Sequence, residues 1–187
     1  MKVLSAILML IPFSAVCQPL FTSLPSKKTG ISFQNRISEN STQNVLAYEY
    51  FYNGGGVAAG DLNNDGLADI VFTANMDQPK VYVNKGNFVF DDVTGKSRVR
   101  ASGWKTGVVM ADVNADGWLD VYICRSGNEE ETERANLLFI NQKNGTFREA
   151  AAEYGIDEKG YSTHAAFFDA DNDGDLDLYV LNHPIKR

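Results

Sequence analysis

The sequence predicts an all-β chain built from β-propeller blades, about three in number and forming part of a propeller. Three observations support this class. A nine-residue acidic loop with a central glycine occurs three times, a short β-like run lies on each side of every copy, and a second hairpin follows at least two copies. The copies begin 51 and 57 residues apart. Four short strands per repeat at a period of roughly 40–50 residues are typical of a propeller blade.

The runs that flank each loop are rich in β-branched and aromatic residues, which predicts buried strands. Glycine and asparagine between the second pair of runs favour the positive φ angles of hairpin turns. Residues 126–134 lengthen the second interval and predict an exposed loop, and residues 150–154 predict a brief helical turn. The predicted strands are 56–60, 70–73, 80–83 and 88–90, then 107–111, 121–123, 136–140 and 146–147, then 165–168 and 178–181.

Each acidic loop has oxygen-bearing side chains at positions 1, 3, 5 and 9 and glycine at position 6. This layout suits a hard cation that takes about six to eight oxygen ligands, which indicates calcium. Each loop is therefore predicted to be a metal-clamped hairpin connection, with about three Ca²⁺ in all. The side chains predicted to bind metal are Asp61, Asn63, Asp65 and Asp69, then Asp112, Asn114, Asp116 and Asp120, then Asp169, Asp171, Asp173 and Asp177.

An EF-hand and a metal-free turn both fit the loops less well. An EF-hand needs a glutamate at position 12 and flanking helices, whereas position 12 is Phe72, Ile123 or Val180, each inside a β-like run. An Asx-rich turn without an ion accounts for a single loop. It accounts poorly for the third loop, because four carboxylates held together repel one another unless a cation neutralises them.

The negative charge of the chain is concentrated in these loops. The 187 residues carry a formal net charge of −7, and removing the eleven loop aspartates would leave +4. This length is enough for one core of ordinary size. The sequence has no basic stripe interleaved with aromatic residues, which argues against a nucleic-acid partner.

The first 17 residues are typical of a secretory signal, with Lys2 followed by an apolar run at 3–13 that is too short to span a bilayer. Cleavage before Gln18 is expected, and lipid attachment at Cys17 is the alternative. We therefore expect an exported protein, secreted, periplasmic or on the outer cell surface, without a transmembrane span. Calcium is far more available there than in the cytosol. The predicted organisation is a signal peptide at 1–17, an N-terminal strand segment at 18–50 and the repeats at 51–187.

The loops and their strands resemble the FG-GAP/VCBS repeat family, the calcium-loop blades of integrin-α-type propellers. Residues 51–69, 103–107 and 181–183 resemble a subgroup of exported bacterial proteins. Members of that subgroup are typically longer and often have a C-terminal ASPIC/UnbV module, which is not seen in this sequence. The resemblance implies that the main-chain carbonyl at loop position 7 is a further calcium ligand. The residues at this position are Leu67, Trp118 and Asp175.

The number of loops bears on how the propeller is completed. Three loops indicate about three blades, whereas propellers typically close with at least four. The third repeat has no second hairpin after residue 182. We therefore expect the chain to be part of a longer propeller. Dimerisation, or pairing of residues 31–33 with the last blade, is the alternative way to cover an open edge.

Two classes of function fit the sequence. The first is a non-catalytic, calcium-binding module for adhesion or for binding an extracellular protein or glycan. The alternative is part of a propeller enzyme that acts on an extracellular polymer such as polysaccharide. The sequence shows no Ser/His/Asp or Cys/His arrangement, and a strand position and a turn account for His164 and His183. These observations favour the first class.

Overall fold

The computed structural model describes residues 20–184. The predicted signal peptide, Cys17 and Gln18 lie outside these residues. Two four-stranded antiparallel sheets and one two-stranded sheet make up the fold, which confirms the all-β prediction. The strands are β1 Val57–Gly60, β2 Asp69–Phe72, β3 Lys80–Asn84, β4 Phe90–Asp92, β5 Trp104–Ala111, β6 Asp120–Ser126, β7 Leu137–Asn141, β8 Phe147–Glu149, β9 Ser162–Phe168 and β10 Asp177–Asn182. Three single-turn helices are α1 Ser26–Thr29, α2 Thr94–Ser97 and α3 Glu131–Arg134.

Each sheet follows the order of its strands along the chain, which is the arrangement expected of a propeller blade. The sheets are β1-β2-β3-β4, β5-β6-β7-β8 and the pair β9-β10. The first hairpin has the same register in all three, because the residue before the acidic loop pairs with loop position 9. These pairs are Gly60 with Asp69, Ala111 with Asp120 and Phe168 with Asp177. The repeats predicted from the sequence therefore superimpose at the level of strand pairing.

The hydrophobic core lies between neighbouring blades. Strand β6 is buried along its whole length, and its successive side chains point to opposite faces of the sheet. Val121 and Ile123 pack towards the first blade, while Tyr122 and Cys124 pack towards the third. Burial of a side chain such as Val121 or Ile123 contributes about 1.5–3 kcal/mol. Strand β5 contacts both β1 and β9, so the first strands of the three blades lie side by side.

The largest difference from the sequence prediction is the segment before the first blade. Residues 20–56 contain α1, turns and irregular backbone, and the strand predicted within 18–50 is absent from the described part of that segment. Asparagines account for the turns, since Asn40 and Asn44 bind main-chain N–H groups two or three residues ahead. Side chains attach the segment to the first blade, where Phe33 stacks on Phe72 with ring centroids 4.6 Å apart.

Two further boundaries differ from the predictions. The strand predicted at 88–90 begins only at Phe90, because Asn87 and Phe88 have φ angles of 52° and 59° and still belong to the turn. The polar stretch 126–134 is not wholly exposed, since Ser126 is buried and α3 lies within the stretch.

The third blade is the least covered part of the fold. Within the described chain it consists of β9 and β10, and Tyr179 and Leu181 are 59% and 50% exposed. The described residues contain no helix that is long and apolar enough to cross a bilayer.

Candidate metal centre

The three acidic loops share several internal hydrogen bonds, and the first of these is accepted by the carboxylate at position 1. The main-chain N–H of the position-6 glycine donates to the position-1 carboxylate, from Gly66 to Asp61 at 2.7 Å and from Gly174 to Asp169 at 3.1 Å. These glycines have φ angles of 84° and 94°, which residues with a Cβ adopt only at a cost. The second loop repeats the contact at 2.7 Å. Glycine at position 6 therefore lets the chain curl around its first carboxylate.

The carboxylate at position 5 orients the peptide group between positions 6 and 7. In each loop the position-5 carboxylate accepts the N–H of position 7, at distances between 2.9 and 3.1 Å. The position-7 residues are those whose carbonyls the family resemblance implies as ligands. The N–H side of each position-7 residue is thus held beside the position-5 acid in all three loops. The donors are Leu67, Trp118 and Asp175.

The first two loops differ from the third at position 3. The amides of Asn63 and Asn114 donate to the position-5 carboxylates of the same loops at 3.0 and 3.2 Å. Aspartate occupies this position in the third loop and has no such proton to donate when ionised. Oxygens of Asp169, Asp171 and Asp177 lie within 4.8 Å of one another there. Within residues 20–184, this is the group of acidic side chains close enough to share one cation.

Position 9 has a structural role in the first two loops. Asp69 and Asp120 are almost completely buried, and each accepts one N–H from loop position 2 and one from the third strand of its blade. For Asp120 these donors are Val113 at 3.1 Å and Asn141 at 2.8 Å. For Asp69 the corresponding distances are 2.9 and 2.8 Å. The acid therefore ties the hairpin loop to the sheet even without an ion.

Burial changes the acidity of these groups. Loss of solvent raises the pKa of Asp120 to about 6, although the N–H groups of Asn141 and Val113 counteract part of the rise. The pKa of Asp69 is raised for the same reason. In the exposed third loop, the hydrogen bond and the negative charge of Asp173 raise the pKa of Asp175. A bound cation would relieve each of these penalties.

The donor set fits calcium best in the third loop. Four of its five acids occupy the predicted ligand positions, every donor is a hard oxygen, and the three-carboxylate cluster is preformed. The first two loops offer three acids and one amide oxygen each, arranged by the same turn. When bound there, calcium would neutralise the acids and fix the hairpin ends.

Comparison with known families identifies the repeats. A model of the FG-GAP-like repeat matches residues 61–123 and 124–180. The chain belongs to the FG-GAP-like repeat family. The first match contains the first two acidic loops, and the second contains the third loop, so the FG-GAP-like repeats cover the whole candidate metal region. No curated protein matches the chain significantly.

Two asparagines at equivalent positions of the repeats hold the loops in place, although their sequence context predicts only turn residues. Asn84 ends β3 and donates to the carbonyl of Ala68 at 2.9 Å. Asn141 ends β7 and donates to the carbonyls of Leu119 at 3.1 Å and Leu62 at 2.8 Å. Because Leu62 belongs to the first loop, Asn141 joins two FG-GAP-like repeats. The sequence feature that could have indicated this role is the asparagine at the end of the third strand in both repeats.

A second site, which the sequence did not predict, lies at the other ends of the strands. The hydroxyl of Tyr48 lies 3.0 Å from Ser126 Oγ and 3.1 Å from His183 Nε2, and the same two atoms of Ser126 and His183 are 3.1 Å apart. Tyr50 stacks on the imidazole with centroids 3.9 Å apart. Ser126, at the end of β6, is completely buried. Because Tyr48 precedes the first blade and His183 follows β10, these contacts tie the segment before the first blade to the third blade.

Proposed function

We propose that this FG-GAP-like chain is an exported, calcium-stabilised propeller module that binds an extracellular protein or glycan without catalysing a reaction. The observation that supports it most is the group of Asp169, Asp171 and Asp177, which occupy positions 1, 3 and 9 of an acidic loop that occurs three times in the chain. The signal-like residues 1–17 support export. Calcium levels outside cells would keep sites of modest affinity filled.

Calcium in this module stabilises rather than signals. The loops connect adjacent antiparallel strands of fixed register, and no pair of long helices in the described chain could open as in a calcium sensor. Each ion would bind the folded hairpin and not the unfolded chain. The free energy of unfolding should therefore rise with calcium concentration.

Calorimetric titration of the calcium-free protein tests the metal part of the proposal. We expect about three Ca²⁺ per chain. Asp171→Asn gives the third loop the composition of the first two and should weaken its site by about tenfold, since one carboxylate ligand is lost. Asp157, which is half-buried, lies outside the acidic loops and pairs with Lys159 at 3.6 Å, supplies the control variant Asp157→Asn. No heat of calcium binding in the wild-type protein would refute the proposal.

Export and ligand binding need separate tests. Intact mass of the protein purified from its native membrane and secreted fractions should give a chain that begins at Gln18, or at a lipidated Cys17. Retention of Met1 in the cytosol would contradict export. Binding to a glycan array in calcium, absent after unfolding, would support the adhesive role.

A further inference from the structure

A pocket lies between the first and second blades, beside the first two acidic loops. Its volume is about 370 Å³, within the range of about 300–1,000 Å³ that is typical of small-ligand pockets. Leu62, Val81, Val93 and Phe147 give it an apolar floor. This floor continues the core between the blades, because Leu62, Val81 and Phe147 belong to the same buried cluster.

The rim of this pocket is basic although the chain as a whole is acidic. Lys85, Lys96 and Lys143 line it, and Asp91 is the one acid among the lining residues. Lys143 reaches Asp116 at 3.3 Å. Lys85 and Lys96 form no ion pair within the described part of the chain, and neither does Asp91. Two unpaired ammonium groups therefore remain available to an anion at the mouth of an apolar pocket.

An aromatic side chain completes the wall. Trp118 lines the pocket and is half-buried. Its ring stacks on no other aromatic ring of residues 20–184, and its indole N–H has no hydrogen-bond partner there. A flat apolar ring with a free donor is well suited to pack against a sugar and to bind one of its hydroxyls.

We propose that this pocket binds an acidic sugar residue, with its carboxylate or sulfate on Lys85 and Lys96 and its ring against Trp118. The proposal rests on the proposed binding function and names the ligand class. Ammonium groups bind such anions as point charges, and the apolar residues of the same pocket would contact the carbon face of the sugar ring. Trp118 occupies position 7 of the second loop, so the turn that orders this loop also positions the pocket wall.

Binding to three hexasaccharides tests the proposal and distinguishes the two anions. The probes are galacturonate hexamer, sulfated maltohexaose and uncharged maltohexaose, titrated in calcium. We expect one or both acidic probes to bind at least about tenfold more tightly than the uncharged one, because each charge-assisted contact is worth a factor of this size. Equal binding of all three, or no binding of the acidic probes, would overturn the proposal.

Matched charge variants show whether the pocket itself binds the probe. The pocket variant Lys85→Gln, Lys96→Gln, Lys143→Gln should lose at least about tenfold in affinity. The control Lys27→Gln, Lys28→Gln, Lys159→Gln has the same net charge and changes exposed lysines outside the pocket, so its affinity should be unchanged. Equal losses in both would indicate non-specific attraction and refute the site.

Tryptophan fluorescence gives a second readout. Trp104 is buried, so ligand binding should alter the emission of Trp118, and Trp118→Phe should abolish that change. The calcium-dependent shift in melting temperature is measured on the same samples. If this shift persists while the lysine variants bind normally, the acidic-sugar pocket is wrong and the calcium-stabilised module stands. If calcium does not shift the melting temperature while binding depends on the three lysines, the acidic-sugar pocket stands and the calcium-stabilised module is wrong.

Discussion

Replacement of Asn141 by alanine should destabilise the fold more than the same change at Asn84. Asn141 is 3% exposed. Its side chain binds the carbonyls of Leu62 and Leu119 and accepts the N–H of Lys143 at 2.9 Å. Alanine would leave these three main-chain groups without their partner. At about 1 kcal/mol for each lost bond, the free energy of unfolding should fall by about 3 kcal/mol.

Asn84→Ala is the matched control, because Asn84 is half-buried and contacts only its own repeat. Water can replace its bonds, so we expect a loss of about 1 kcal/mol. For a domain of this size, 1 kcal/mol corresponds to about 2–4 °C in melting temperature. Thermal unfolding in EDTA should therefore show a drop of about 6–12 °C for Asn141→Ala and about 2–4 °C for Asn84→Ala. Equal drops would refute the inference that Asn141 joins the two repeats.

The loops and one buried lysine give three more predictions. Calcium at about 100 times its dissociation constant should add about 2.7 kcal/mol per site to the free energy of unfolding, and EDTA should remove it; an unchanged melting curve contradicts this. In calorimetry, Asp169→Ala should remove the tightest calcium site, and the ranking fails if Asp61→Ala or Asp112→Ala removes it instead. Burial lowers the pKa of Lys105 from 10.5 to about 8. Between these two pH values the unfolded chain binds more protons at this site than the folded chain, so the free energy of unfolding should rise with pH there. Lys105→Met should remove this rise and stabilise the protein at pH 7 by about 1–2 kcal/mol, measured by urea unfolding, and an unchanged pH profile would contradict the assignment.

The sequence predicted the blades because each of their local signals has a physical cause within a few residues. Glycine at loop position 6 is required by a positive φ, and the β-branched run of β6 after the second loop is buried on both faces of its sheet, whereas β1 and β10, which the sequence also predicts as buried, are partly exposed. The shared register of Gly60 with Asp69 and of Ala111 with Asp120 follows from loops of equal length. These features involve residues close together in sequence, so they can be read without knowing the fold.

The features that the sequence did not predict depend on residues far apart in the chain. Tyr48 meets His183 across 135 positions, and Asn141 meets Leu62 across 79. Neither contact produces a period of two or of 3.6 residues in the sequence. An asparagine before a glycine-containing turn is already explained by the turn, so it gives no sign of a distant partner. The described part of the segment before the first blade is likewise held by distant contacts rather than by a local strand pattern. Phe33, Tyr48 and Tyr50 of this segment pack through their side chains on Phe72, Trp104 and His183, and no ladder of strand hydrogen bonds forms in residues 20–56.

The position-9 acids indicate why the third loop should bind calcium most tightly. In the first two loops both oxygens of this carboxylate accept main-chain N–H groups, as at Asp120. Asp177 accepts one N–H, from Ala170 at 2.8 Å, because no third strand lies beside it in the described chain. One of its oxygens is thus free of protein hydrogen bonds, and Asp171 adds a fourth carboxylate where the other loops have an amide. The additional carboxylate and the free oxygen of Asp177 should both raise the calcium affinity of the third loop. In the first two loops, the buried position-9 acid already uses both of its oxygens to bind the sheet.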